Sequence, residues 1–280
     1  LTTSWIAQGV ACWVIASGTT VTIQGGLVIE NGCVDVQGTL TVLGDVFVGI
    51  GNLTQDRLLV PTLRMRTGAA PTLNVRETAP GSGVGGTLVF NAGASEELER
   101  GTSGAQAVVE VETSLRASQD PGTSPATGRL VDLNTPASGV NNLLVRFAGQ
   151  GVEPASGASP AAARIWLTNV GGAATTLHLQ HWTIAKNATA TTVDLWSRVD
   201  VHGAFTLTTG TLISSRGTAG PPVTAGWPLH LLGAWVTTAA GAYDVLGTAN
   251  WAPIPIWVDG TGNQVITSSV PVTTVYVNNS

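Results

Sequence analysis

The stretch Val34-Asp-Val-Gln-Gly-Thr-Leu-Thr-Val42 returns 165 positions later as Val199-Asp-Val-His-Gly-Ala-Phe-Thr-Leu207. Each copy alternates apolar and polar residues, breaks at a glycine, and then alternates again. Alternation with a period of two is typical of a strand that buries one face. A glycine between two such runs indicates a turn. The repeat therefore predicts short strands that stack on one another along the chain.

The first sixty residues extend this pattern. They contain short apolar runs at 19–23, 27–29, 34–36, 40–42 and 46–48, separated by glycines. The breaks come too close together for long hairpins, but they suit the corners of a β-solenoid. We therefore expect an all-β fold of the parallel β-helix or solenoid kind. A β-sandwich or jelly roll is the alternative, because strand-rich patterns alone leave topology open.

Four segments follow from the composition. Residues 1–60 are predicted to form glycine-punctuated solenoid coils, and 61–165 an irregular β region with long loops. Residues 164–218 are predicted to form a second regular solenoid segment. Residues 219–280 form a Trp-rich β region that ends in a strand at 270–277. The one local exception to strand is a predicted helical turn at 96–100.

The style of Leu40-Thr-Val-Leu-Gly44 resembles the secreted parallel β-helix repeats of bacterial surface proteins, adhesin passengers and sheath-like proteins. This resemblance implies a secreted protein, located outside the cell or at its surface. It also implies a structural role.

The two cysteines, Cys12 and Cys33, are 21 residues apart. If one coil takes about 20 residues, they lie one above the other in adjacent coils, about 4.8 Å apart. That separation is compatible with a disulfide. The spacing predicts a Cys12–Cys33 bridge and an oxidising compartment. Two buried free thiols are the alternative.

Charge excludes several classes of partner. Only 10% of the residues are charged, the net charge is −5, and Lys186 is the single lysine. The chain has no basic patch for nucleic acid and no polybasic segment for anionic membranes. No apolar run is long enough for membrane insertion as a helix. A surface with so few charges favours association, so we expect a homo-oligomer or homopolymer.

No catalytic constellation is recognisable. The motifs typical of polygalacturonase-like β-helix enzymes are missing, and Asp35 and Asp200 are predicted to be solvated surface carboxylates at equivalent points of the repeat. His178 and His181 are predicted to point to opposite faces of one strand, so they cannot share a metal ion. We therefore expect no metal site and no cofactor. His202 takes the place of Gln37 in the repeat, which indicates a polar surface position.

Both ends of the chain are apolar. An unpaired apolar strand favours pairing with another chain. The residues predicted to mediate assembly are Trp5, Ile6, Val14, Val270, Val272, Val275 and Val277. The leading functional hypothesis is a self-assembling extracellular structural protein, a filament, sheath or surface-layer subunit.

The first alternative is a carbohydrate-binding adhesin or phage-type fibre module, with a surface polysaccharide as partner. Its predicted sugar contacts are Trp227, Trp235, Trp251 and Trp257. The second alternative is a polysaccharide-active enzyme. Asn52, Asn187 and Asn278 match the glycosylation acceptor pattern, which in a Thr-rich chain is a weak signal.

Overall fold

A computed structural model of the chain describes 15 stretches of residues: 5–7, 11–30, 32–49, 61–65, 69–91, 95–97, 106–118, 142–155, 159–168, 176–215, 227–237, 241–243, 254–260, 265–268 and 275–277. Within these stretches the chain forms 26 strands and no helix. The strands are β1 (Trp5–Ala7), β2 (Cys12–Ile15), β3 (Thr20–Ile23), β4 (Leu27–Ile29), β5 (Cys33–Val36), β6 (Thr39–Leu43), β7 (Val46–Val48), β8 (Thr62–Arg64), β9 (Thr72–Arg76), β10 (Thr87–Phe90), β11 (Ser95–Glu97), β12 (Ala107–Val111), β13 (Ser114–Ser118), β14 (Leu143–Gly149), β15 (Ala163–Thr168), β16 (Thr176–Leu179), β17 (His181–Lys186), β18 (Thr192–Leu195), β19 (Arg198–Val201), β20 (Phe205–Ile213), β21 (Leu229–Leu231), β22 (Trp235–Thr237), β23 (Gly241–Tyr243), β24 (Ile256–Val258), β25 (Ile266–Ser268) and β26 (Val275–Val277).

The strands fall into three rows. A row is a set of strands in which each strand pairs with the next member of the same set. The first row contains β2, β5, β8 and β11, and later β16, β19, β21, β24 and β26. The second row contains β3, β6, β9, β12, β14, β17, β20, β22 and β25. The third row contains β1, β4, β7, β10, β13, β15, β18, β20 and β23. The long strand β20 serves two rows, and the second and third rows form one 17-stranded sheet. The strands of the described chain therefore stack as in a solenoid.

Every strand pairing within the described residues is parallel. Antiparallel contact is confined, in the same residues, to two isolated bridges, Glu77 with Gly85 and Glu153 with Ala162. β-Sandwiches of the immunoglobulin type are built from antiparallel strands. The sandwich or jelly-roll alternative is therefore not supported.

The core is made of side-chain columns that run from strand to strand. In the second row, register places one buried apolar residue of each strand above the next. This column consists of Leu40, Leu73, Val109, Val145, Trp182, Phe205 and Trp235. The immediate neighbours of these residues along each strand, such as Thr41 and Thr183, lie on the outer face of the sheet. The alternation seen in the sequence is thus the alternation between core and surface.

The predicted disulfide is confirmed. The β2–β5 register pairs Cys12 directly with Cys33, and the two residues are bonded with a Cα–Cα distance of 4.3 Å. The two copies of the sequence repeat also occupy equivalent places in the fold, since each connects a first-row strand to a second-row strand.

One local prediction was wrong. The helical turn expected at 96–100 is not formed where the structure describes it, because Ser95–Glu97 is strand β11 and pairs with β8. Residues 98–100 lie outside the described residues.

The long strand β20 bends from the second row into the third. Glycine at position 210, with φ of 116°, allows that bend.

Glycines allow the backbones of adjacent coils to approach closely at one corner of the fold. At Gly44 an added Cβ would lie 2.6 Å from the backbone of Gly25 in the preceding coil. At Gly85, whose φ is 91°, it would lie 2.7 Å from Gly44. The three glycines stack, so backbones approach closely at this corner and no side chain fits between them.

Candidate functional site

The first candidate site is the N-terminal end of the rows. Among the described strands, β1, β2 and β3 each pair on one side only. Trp5 and Trp13 stack with ring centroids 5.9 Å apart, over a cavity of about 240 Å³ that also contacts Ile6 and Leu27. Trp5 is in register with the core residue Leu27, yet it is 56% exposed. An apolar core position is therefore open to solvent at this end.

The C-terminal end has the same character. Among the described strands, β23, β25 and β26 each pair on one side only. Most of the large exposed apolar side chains of the described chain lie at these two ends. They are Trp5, Ile6 (60%) and Val14 at the N-terminal end, and Val265, Tyr276 and Val277 (65%) at the C-terminal end. Phe47 and Val84 are the exposed large apolar residues found elsewhere.

Five of the seven predicted assembly residues are thus described. Trp5, Ile6 and Val14 are exposed, as are Val277 and, partly, Val275. Val270 and Val272 lie outside the described residues.

The second candidate site is a column on the outer face of the first row, here called the histidine–aromatic face. Register aligns one residue from each of five successive strands: His178, Asp200, His230, Trp257 and Tyr276. The ring of Trp257 stacks on His230 at 5.8 Å and on Tyr276 at 4.5 Å, with nearly parallel planes. Tyr276 is the exposed end of this stack.

Charged groups accompany this column. Arg198 donates two hydrogen bonds to the Asp200 carboxylate, at 2.7 and 3.0 Å. His178 Nδ1 lies 3.1 Å from His202 Nε2 and 3.9 Å from Asp200 Oδ2. Asp259 contacts His230 Nδ1. Burial, followed by the nearby His178, lowers the pKa of His202, although Asp200 acts in the opposite direction.

The predicted sugar-contacting tryptophans are in different environments. Trp235 is 1% exposed and follows Phe205 in the core column. It is therefore a core residue, because alternation places it on the inner face of β22. Trp227 is half-buried against the core. Trp257 is half-buried with both ring faces covered. Trp251 lies outside the described residues.

A half-buried ionic network lies on the outer face of the third row. Glu153 accepts hydrogen bonds from Ser114, Arg116 and Arg164. Burial alone would raise the pKa of the Glu153 carboxyl, but these hydrogen bonds lower it overall. The guanidinium groups of Arg116 and Arg164 lie over the rings of Trp166 and Trp196, at 5.0 and 4.6 Å.

This network continues to a second carboxylate. Asp194 accepts hydrogen bonds from the Ser215 backbone N–H and from Trp196 Nε1, both at 2.7 Å. Burial raises the pKa of Asp194, in spite of these bonds. Asp194 is fully buried, so a substrate cannot reach it, and the network joins neighbouring strands to the loop that carries Glu153.

Lys186, the single lysine, fills a corner of the fold. It is 2% exposed, and its Nζ donates to the carbonyls of Glu112 (2.6 Å), Ala148 (3.0 Å) and Gly151 (2.9 Å). Burial lowers its pKa to about 8, although Glu112 and Glu77 act in the opposite direction. The ammonium group therefore connects backbone from successive coils.

Asp35 and Asp200 do occupy equivalent outer positions, but neither is a solvated surface group. Both are buried, Asp35 beside Gln37 and Asp200 beside Arg198. The second-row strands that follow them, β6 and β20, are five parallel pairings apart. At about 4.8 Å per strand that is roughly 24 Å, beyond the separation of a glycosidase carboxylate pair.

Sequence reasoning missed the partner of His178. That partner is His202, 24 residues later and in the turn after β19, whereas His181 begins β17 in another row. His181 Nδ1 accepts a hydrogen bond from the Ala204 N–H at 2.9 Å. The signal was available, since 24 residues is close to the coil length that predicted the disulfide.

Comparisons with known proteins returned no match to a family model, to a curated protein or to a solved structure. In the described part of the chain, no helix is long and apolar enough to cross a membrane. No three His, Cys, Asp or Glu side chains among the described residues already have the arrangement of a metal site.

Proposed function

We propose that this chain is a parallel β-helix protein with a structural role, and that copies join end to end through their open strand edges. The observation that carries the proposal is the distribution of exposed apolar side chains. They gather at the first and last described strands, where each row ends in an unpaired edge. Exposed edges of this kind are templates for strand pairing with another chain.

All strands of one row run in the same direction, so the two ends of the molecule are different surfaces. A contact between the N-terminal end of one copy and the C-terminal end of another is heterologous, and repeats into a filament unless it closes into a ring. The low charge of the chain, 10% of its residues, leaves little repulsion to oppose this association. The disulfide is consistent with an extracellular location.

The test uses one charge at each end. Ile6→Lys places a charge on the N-terminal end, and Val277→Lys places one on the C-terminal end. We expect sedimentation velocity to show a series of assemblies of increasing size for the wild type. Each single variant should sediment as a monomer. Val84→Lys is the matched control, because Val84 is 56% exposed but lies in a loop away from both ends.

Mixing the two variants tests the direction of the contact. Ile6→Lys retains an intact C-terminal end and Val277→Lys an intact N-terminal end, so the mixture should form dimers and nothing larger. Association of either variant alone would show that like ends meet. A monomeric wild type at all concentrations, or loss of assembly in Val84→Lys, would contradict the proposal.

A carbohydrate-binding role is the second candidate, favoured by the ring stack of His230, Trp257 and Tyr276. Both faces of Trp257 are covered, so the exposed ring of Tyr276 is the face that a sugar would contact. Binding on a glycan array that is lost in Tyr276→Ala and retained in Phe47→Ala, an exposed aromatic residue elsewhere, supports this role. No binding to any glycan rejects it.

A further inference from the structure

The pair His178 and His202 has the geometry of two ligands of one metal ion. Their ring nitrogens, Nδ1 and Nε2, lie 3.1 Å apart. Imidazole nitrogens bind Zn²⁺ at about 2.0–2.1 Å, so an ion equidistant from both would have an N–metal–N angle of about 100°. This angle lies between those of square-planar and tetrahedral sites. The two rings are tilted by 47°, and their facing nitrogens share a hydrogen bond that a bound ion would replace.

We propose that His178 and His202 bind a divalent late transition-metal ion, such as Cu²⁺, Ni²⁺ or Zn²⁺, with water completing its coordination. Imidazole is a good ligand for these ions. The His178 side chain is 34% exposed and His202 is half-buried, so the ion and its water can enter from solvent.

Asp200 lies beside the proposed ion and does not coordinate it directly. Its Oδ2 lies 3.9 Å from His178 Nδ1, close enough to accept a hydrogen bond from a water on the ion. Arg198 holds this carboxylate through two hydrogen bonds. The carboxylate and the guanidinium balance each other, so the ion meets little net repulsion.

The bound ion would act as a clamp between coils. His178 belongs to β16, and His202 follows β19, the strand that pairs with β16. The Cys12–Cys33 bond links two adjacent first-row strands in the N-terminal half in the same way. The ion would give the C-terminal half a reversible counterpart of that bond.

The experiment is metal titration of the chain without an affinity tag, at neutral pH, with CuCl₂ or ZnCl₂ alone as the probe. The wild type is expected to bind one ion, with nitrogen hyperfine structure in the Cu²⁺ electron paramagnetic resonance spectrum. Zn²⁺ should raise Tm by a few degrees at saturating concentration. His178→Gln and His202→Gln should each weaken binding by at least about tenfold.

His230→Gln is the matched control and should bind as the wild type does, because His230 belongs to β21 and contacts Asp259 and Trp257. Folding of His202→Gln is expected, since the repeat carries Gln37 at the same place, and circular dichroism checks it. Binding that is unchanged in the double variant His178→Gln/His202→Gln would overturn the proposal. So would a wild type that binds no ion at millimolar concentration.

Discussion

At the scale of single residues, the fold depends on which side chains face the core and which residues have no side chain at all. Alternation places Leu40 and Leu73 inside and Thr41 and Asn74 outside, within the same two strands. The corners follow a second rule and require glycine, because the backbones of adjacent coils approach too closely there for a Cβ. The first rule acts within one strand and the second between adjacent coils, and both are visible in the sequence.

Replacing a corner glycine tests the second rule. Gly44→Ala is expected to lower the free energy of unfolding by about 1–3 kcal/mol, because its Cβ would lie 2.6 Å from the Gly25 backbone. Gly83→Ala is the control for crowding, since an added Cβ there meets nothing within 4 Å although φ is positive. Urea denaturation measures both. A Gly44→Ala variant as stable as the wild type would contradict the close approach, since Gly44 is not among the glycines with positive φ.

Lys186 predicts a particular dependence of stability on pH. Its pKa falls from 10.5 in the unfolded chain to about 8 in the fold, because it is buried. Between these values the unfolded chain holds a proton that the folded chain has lost, so this group's contribution to stability rises with pH. Below pH 8 the contribution is lost, since both states are protonated.

The measurement is urea denaturation of the wild type and of Lys186→Met from pH 7 to 10. At pH 7 the variant should be less stable by about 1–3 kcal/mol, because three buried carbonyls lose a donor. The difference should then widen above pH 8, by up to about 1.4 kcal/mol per pH unit. Parallel curves for the two proteins would contradict a lowered pKa for Lys186.

At the scale of strands, the sequence predicts the elements better than their partners. The apolar runs at 27–29 and 46–48 are strands with the predicted bounds. Period-two alternation defines a strand locally, but pairing depends on residues 20–40 positions away. The spacing of Cys12 and Cys33 carried a signal at that distance. The pairing of His178 with His202 uses nearly the same spacing, whereas His181, three positions from His178 in sequence, lies in another row.

Removing the disulfide tests how much the stability of the first coil depends on a covalent link. Cys12→Ala/Cys33→Ala is expected to lower the free energy of unfolding by about 3 kcal/mol, given the 21-residue separation. Thermal unfolding of this variant measures the loss. A Tm equal to that of the wild type would mean that the β2–β5 pairing needs no such link. Reduction of the wild type by a thiol should reproduce the variant's Tm.

At the scale of the whole molecule, the second and third rows pass through all four segments that composition suggested, whereas the first row forms two separate sheets in the described residues. Strands from 1–60, 61–165, 164–218 and 219–280 all belong to the 17-stranded sheet. Such a stack is regular along its axis and exposes apolar edges at its ends. The proposed role depends on those ends, whereas the proposed metal clamp depends on a side face. The two proposals can therefore fail independently.

Electron microscopy of the native protein at neutral pH, under non-reducing conditions, tests end-to-end assembly. We expect unbranched filaments with a strand spacing of about 4.8 Å along the axis. The second row has nine strands, so the subunit repeat should be roughly 45 Å. Discrete single particles at every concentration would contradict end-to-end assembly.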